Sequence, residues 1–177
     1  MDIEETTTLE EIAKQAVEEF PGCLLEIGAG DGLNTDKFLI IAKEYNRKVL
    51  VIDPFEDGWN QAHKSYCKPY PLQKFMDNIN LKQLAPWMVL LRSTSQSDAA
   101  KRFTKGVKIA FAFVDGLQTK EAILSDLKLV ENAQIIVVDD MNRNTSISQT
   151  PLAVEEYMKH SQRGLIILDR YAVLIKN

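Results

Sequence analysis

The sequence predicts a Rossmann-like, doubly wound α/β fold: a mostly parallel sheet of seven strands with a C-terminal antiparallel hairpin. Three observations predict it. Short apolar runs and amphipathic segments alternate along all 177 residues, the pattern of successive βαβ units. Runs such as 135–138 are apolar at every position, as strands buried on both faces are. The last two apolar runs, 165–168 and 172–175, are joined only by Asp169-Arg170-Tyr171, too short for a parallel crossover.

The elements follow in order. Residues 9–19 carry Leu9, Ile12, Ala13, Ala16 and Val17 at helical spacing, with Thr8 and Glu11 placed as a capping box. Residues 23–27 are the first strand and 34–45 a helix with Phe38, Ile41 and Ala42 inward. Residues 48–52 form a second strand ending at Asp53-Pro54, and 72–84 a helix. A third strand covers 88–91, a short helix 97–103, and a fourth strand 109–114. A helix over 120–130, a fifth strand over 135–138 and a helix over 152–160 precede the hairpin. No composition shift divides the chain, so a single domain over 1–177 is expected, with an N-terminal helix in 1–20 and an irregular insert at 54–86 that covers the substrate.

Bulk properties exclude some partners. Lys and Arg number 21 against 25 Asp and Glu, a net charge of −4 without a basic run, so no nucleic acid is expected. No apolar run approaches the ~20 residues of a membrane span, and the acidic start Met1-Asp2-Ile3-Glu4-Glu5 does not read as a signal peptide. Cys23 and Cys67 have no metal-ligand spacing and read as reduced thiols, which places the expected location in the cytoplasm.

The most informative stretch is 23–32, Cys-Leu-Leu-Glu-Ile-Gly-Ala-Gly-Asp-Gly. An apolar strand runs into an acid and then a glycine turn, where backbone must pass close to a bound nucleoside. The dinucleotide fingerprint G-x-G-x-x-G needs glycine at 33, and this chain has Leu33. The spacing points to a nucleoside without a pyrophosphate. Asp53 follows about 20 residues later at the end of the next strand, the spacing of an acid that binds ribose hydroxyls. Glu26 lies beneath the ligand and favours a cationic one, such as a sulfonium. Asp115, Asp139 and Asp140 close the fourth and fifth strands. Three carboxylates that converge there repel one another unless a cation lies between them, and all-oxygen ligands suit Mg²⁺.

These residues carry a resemblance. The segment 24–32 resembles motif I of class I S-adenosylmethionine-dependent methyltransferases, and 49–54 resembles their ribose-binding strand. Phe113-Val114-Asp115-Gly116, then 121–127, then Ile136-Val137-Val138-Asp139-Asp140-Met141 resemble the metal-dependent small-molecule O-methyltransferases of the macrocin and cephalosporin-tailoring type, and more distantly catechol O-methyltransferase. The likeness covers roughly residues 20 to 177. It implies S-adenosylmethionine held by Glu26, Gly28, Ala29, Gly30, Asp53, Pro54, Ser93, Thr94 and Asp115. It further implies Mg²⁺ on Asp115, Asp139 and Asp140 as the catalytic centre, and a small hydroxylated acceptor. A homodimer is left open.

The chain departs from that family in two places. The usual Asp-Gly-Asp-His-x-Tyr after the fourth strand reads Asp115-Gly116-Leu117-Gln118-Thr119-Lys120, and Gln118 cannot accept a proton at neutral pH. After the third strand, Arg92-Ser93-Thr94-Ser95 replaces Gly-Asp-Ser, which leaves no acid in that loop for the adenine amino group. A non-catalytic S-adenosylmethionine-binding module and a metal-independent methyltransferase are therefore alternatives. Phe55, Trp59, His63, Tyr66 and Tyr70 within 54–71, and the polar loop 142–150, are the expected substrate covers.

Overall fold

The computed structural model describes residues 3–55, 71–79, 81–142 and 148–177. Cys67 and the expected covers Trp59, His63, Tyr66 and Tyr70, with most of the 142–150 loop, lie outside them. The elements run α1 (Leu9–Glu19), β1 (Cys23–Ile27), α2 (Leu33–Glu44), β2 (Val49–Asp53), α3 (Leu72–Asn78), α4 (Leu81–Leu84) with a 3₁₀ turn (Ala85–Trp87), and β3 (Met88–Arg92). They continue α5 (Asp98–Thr104), β4 (Ile109–Val114), α6 (Lys120–Leu129), β5 (Ile135–Val138), α7 (Thr150–Met158), β6 (Gly164–Leu168) and β7 (Tyr171–Ile175).

The strands form one sheet of seven in the order β3-β2-β1-β4-β5-β7-β6. β1 through β5 pair in parallel, and β7 runs antiparallel to both β5 and β6. The order reverses between β1 and β4, which makes their C-terminal ends the switch point where ligands bind in such sheets. The continuous apolar runs are explained by burial on both faces: every residue of β1, β2, β4 and β5 is buried.

One face packs against α1, α2 and α3, where Phe38 lies 5.3 Å from Phe111 and 5.7 Å from Phe113. The other packs against α5, α6 and α7 through Ala100, Ile123, Leu127, Ala153 and Val154. α1 starts on the expected capping box, in which the Thr8 hydroxyl accepts from the Glu11 N–H and the Glu11 carboxylate accepts from the Thr8 N–H at 2.8 Å.

The expected helix over 72–84 is two. It breaks at Ile79, whose backbone turns extended (φ −84°, ψ 132°) and whose side chain packs beside Gly32. The Asn78 amide donates to the Asp31 carbonyl at 2.8 Å, so α3 is fastened to the glycine turn by a side chain as well as by packing. α7 starts at Thr150, with Pro151 in its first turn, where a missing N–H costs nothing. Among the described residues no helix is long and apolar enough to cross a membrane.

Candidate active site

The strand ends are stitched together by backbone. The Gly28 N–H donates to Ile52 O at 3.0 Å, Asp115 N–H to Ile27 O at 2.9 Å, and Asp139 N–H to Val114 O at 3.1 Å. Glu26, Asp53, Asp115, Asp139 and Asp140 are thereby brought to one edge of the sheet.

The glycine turn owes its residues to two neighbours. Gly28, Gly30 and Gly32 have φ of +85°, +55° and +87°, in the left-handed region. Gly28 has a second constraint, because a Cβ there would stand 2.5 Å from the Asp115 carbonyl carbon. The backbone just after β4, rather than a ligand alone, thus demands glycine. Leu33 is simply the exposed first residue of α2, capped by Gly32.

Asp53 reaches back from β2 to this turn. Its Oδ2 accepts from the Ala29 N–H at 2.8 Å and the Gly30 N–H at 3.2 Å, and its Oδ1 accepts from the Phe55 N–H at 2.6 Å. Burial raises its pKa, and the N–H groups of Phe55, Gly30 and Ala29 pull against that rise. Pro54 carries the chain on to Phe55, which is fully buried with φ +51° and packs on Phe75 at 5.1 Å.

Glu26 is 1% exposed. The Thr35 hydroxyl of α2 donates to its Oε2, while its Oε1 is buried with no hydrogen-bond partner among the described residues. Burial pushes this carboxyl up to about 8. The Thr35 hydrogen bond lowers it and the charge of Asp53 adds to the rise. A buried acid with an unmatched oxygen under a glycine turn suits a ligand that brings donors or positive charge.

The β3 loop abuts Asp53, with the Ser93 N–H donating to Asp53 O at 3.2 Å and the Ser93 hydroxyl to Ser97 Oγ at 2.8 Å. The Thr94 carbonyl accepts from the Ser97 N–H at 3.2 Å, closing the turn into α5. An acid does reach this loop, from the expected helix over 120–130, where no site role was assigned to it. Asp126 of α6 is 1% exposed and accepts from the Gln96 amide at 3.1 Å. Burial pushes its carboxyl up to about 7, against hydrogen bonds from Ser95 and Gln96.

At the ends of β4 and β5 the carboxylates converge electrostatically. Burial pushes Asp115 up to about 8, and the charges of Asp139, Asp140 and Glu26 add to this, with Arg170 opposing them. Asp140 holds the left-handed conformation (φ +65°), its N–H donates to Asp139 Oδ1 at 2.7 Å, and the Gln118 amide donates to its Oδ2. A non-glycine residue in this conformation is uncommon and concentrates at functional sites.

The residue that the sequence reading missed is Arg170. Its Nε donates to Asp139 Oδ1 at 2.6 Å and its Nη2 to Asp139 Oδ2. The sequence holds a signal for it. A hairpin that returns antiparallel to β5, pairing Ala172 with Val138, must put its turn at the carboxylate end of the sheet. Of the three acids expected to hold Mg²⁺, Asp139 is the one that meets this guanidinium. Both oxygens of Asp139 are engaged by a guanidinium, and among the described residues no group of three His, Cys, Asp or Glu side chains is placed to hold a metal ion.

No protein-family model matches the chain, and no curated protein matches it in sequence. Solved structures do match in fold. The apo structure of CalS11, a TDP-rhamnose 3'-O-methyltransferase of calicheamicin biosynthesis, aligns with a TM-score of 0.66 at 17% identity, over 94% of this chain and 76% of that one. TomG of Streptomyces achromogenes, an O-methyltransferase of tomaymycin synthesis solved with S-adenosylmethionine, aligns at 0.58 and 12% identity over 95% and 79%. The methyltransferase PaMTH1 of Podospora anserina, solved with S-adenosylhomocysteine, aligns at 0.62 and 12% identity over 98% and 81%. The chain has the fold of these class I S-adenosylmethionine-dependent methyltransferases.

Proposed function

We propose that this protein is an S-adenosylmethionine-dependent methyltransferase that methylates a hydroxyl of a small molecule. The observation that carries the reading is the buried Glu26, with its unmatched oxygen, beside the Asp53-braced glycine turn at the switch point of the sheet. The three related folds are methyltransferases, which supports the same class.

The cofactor, when bound, supplies a methyl group on a sulfonium. The glycine turn at 28–30 offers close backbone approach, Asp53 accepts from ribose hydroxyls, and Glu26 complements the positive charge. Ser93 and Thr94 border the base. Methyl transfer forms one O–C bond and breaks one S–C bond, so holding the hydroxyl in line supplies much of the barrier reduction. The hydroxyl proton must go to a protein group. Gln118 cannot take it. Asp115, at the end of the central strand beside Gly28, is the carboxylate suited to do so in its ionised form, which its raised pKa makes a stronger base than a surface carboxylate, so turnover should rise with pH toward about 8.

Titration calorimetry with S-adenosylmethionine, S-adenosylhomocysteine and NAD tests the cofactor; binding of NAD alone would overturn the reading. Turnover across a panel of catechols and sugar hydroxyls, with and without EDTA, tests the chemistry. Activity is expected to survive EDTA. Asp115→Asn is expected to lower turnover at saturating cofactor about 100-fold or more. Cofactor binding without turnover on any acceptor would favour the non-catalytic module, the alternative that Gln118 in place of histidine supports.

A further inference from the structure

Arg170 is placed with more care than a surface arginine needs. It sits in the two-residue turn between β6 and β7, at the carboxylate end of the sheet. Its carbonyl accepts from the Met141 N–H at 2.9 Å, and the neighbouring Asp169 carboxylate accepts from the Asn142 amide at 2.9 Å. The hairpin turn is thus tied to the segment just after Asp139 and Asp140. The guanidinium lies 5.3 Å from the Tyr171 ring centroid, which fixes its plane further.

From that anchor the guanidinium forks both oxygens of Asp139, which is almost fully buried, and its Nη2 lies 3.9 Å from Asp140 Oδ1. Fork-on-carboxylate geometry is specific to arginine. Nη1 has no hydrogen-bond partner among the described residues, and the side chain is 43% exposed. One fixed cation therefore faces two carboxylates and retains donors for something else.

We propose that Arg170 is the resident cation of this carboxylate cluster and performs there the charge compensation that would otherwise fall to a divalent ion. It neutralises Asp139 and Asp140, and its Nη1 N–H groups hold the acceptor oxygen by a charge-assisted hydrogen bond. An acceptor held in this way needs one hydroxyl rather than a chelating pair. The acceptor part of this inference rests on the methyltransferase reading; the ion-exclusion part does not.

The experiment uses Mn²⁺ as the probe, followed by electron paramagnetic resonance, on the whole chain and on Asp139→Asn, Arg170→Ala, Arg170→Lys and Arg170→Ala with Asp139→Asn. The unmodified protein and Arg170→Lys are expected to show no saturable site below millimolar Mn²⁺. Arg170→Ala, checked for folding by circular dichroism, is expected to bind one Mn²⁺ at least tenfold more tightly, and the added Asp139→Asn to abolish that gain. A single Mn²⁺ site in the unmodified protein that is lost in Asp139→Asn would overturn the proposal, as would a folded Arg170→Ala that gains no ion. If Arg170→Ala folds poorly, Arg170→Gln takes its place and is read by the same two outcomes. S-adenosylhomocysteine affinity, measured alongside, reports on the methyltransferase reading separately.

Discussion

Gly28 and Asp115 meet backbone to backbone. A Cβ on Gly28 would stand 2.5 Å from the Asp115 carbonyl carbon and 2.7 Å from the Gly116 Cα, and Gly28 holds φ +85°. Both obstacles are rigid main chain, so neither a rotamer change nor a side-chain shift relieves them. Gly28→Ala is expected to destabilise the fold by about 2–4 kcal/mol, the sum of a left-handed alanine and an overpacked contact. Urea unfolding measures this. A loss below about 0.5 kcal/mol would mean that the turn relaxes away from β4, contrary to the geometry.

How much of this was legible in the sequence differs between the two halves of the site. The β1–β2 half was readable because its signals are local: an apolar run, an acid, a glycine turn and a second acid at fixed spacing. The same is true of the sheet, whose buried strands are apolar at every position. The reason for Gly28 was not readable, because it lies in the backbone just after β4 rather than in the turn itself. The β4–β5 half was only partly readable for a related reason. Its acids are local signals, but the guanidinium that meets them is not, since Arg170 is 31 residues from Asp139 in sequence. Asp126 escaped notice because a helical acid near the β3 loop has no signature other than its burial. The break at Ile79 escaped because it depends on Gly32, on a different element.

Arg163 makes a test at the other end of the sheet. It is only 8% exposed and donates to four carbonyls: Gln134 at 3.2 Å, Leu174 at 3.4 Å, Glu131 at 2.6 Å and Ala133 at 2.6 Å. It thereby joins the end of α6, the start of β5 and the end of β7. Arg163→Met should cost about 2–4 kcal/mol, since hydrogen bonds to a charged group are worth more than neutral ones and buried carbonyls lose a donor. Arg163→Lys should recover only part of this, because an ammonium cannot span four acceptors as a planar fork does. Cofactor affinity should not change in either variant that folds. A parallel loss of affinity would tie this end of the sheet to the site, which the geometry does not.

The raised acids set a pH dependence whose sign can be worked out. Folded Glu26 keeps its proton to about 8, whereas a carboxyl in the unfolded chain loses it near 4. Between those values the folded state binds more protons than the unfolded one, so stability falls as pH rises from about 4 through about 8. Asp115, raised to about 8 by burial and by its acidic neighbours, acts in the same direction. Stability at pH 9 should therefore lie below that at pH 6, and Glu26→Gln should narrow the gap. A cationic ligand reverses the preference by favouring the ionised carboxylates. S-adenosylmethionine binding at pH 7 should then release protons, and affinity should rise between pH 6 and pH 8. Calorimetry in buffers of different ionisation enthalpy reads the proton release directly. Proton uptake, or an affinity that falls over this range, would show that Glu26 does not serve as the counter-charge to the bound cation.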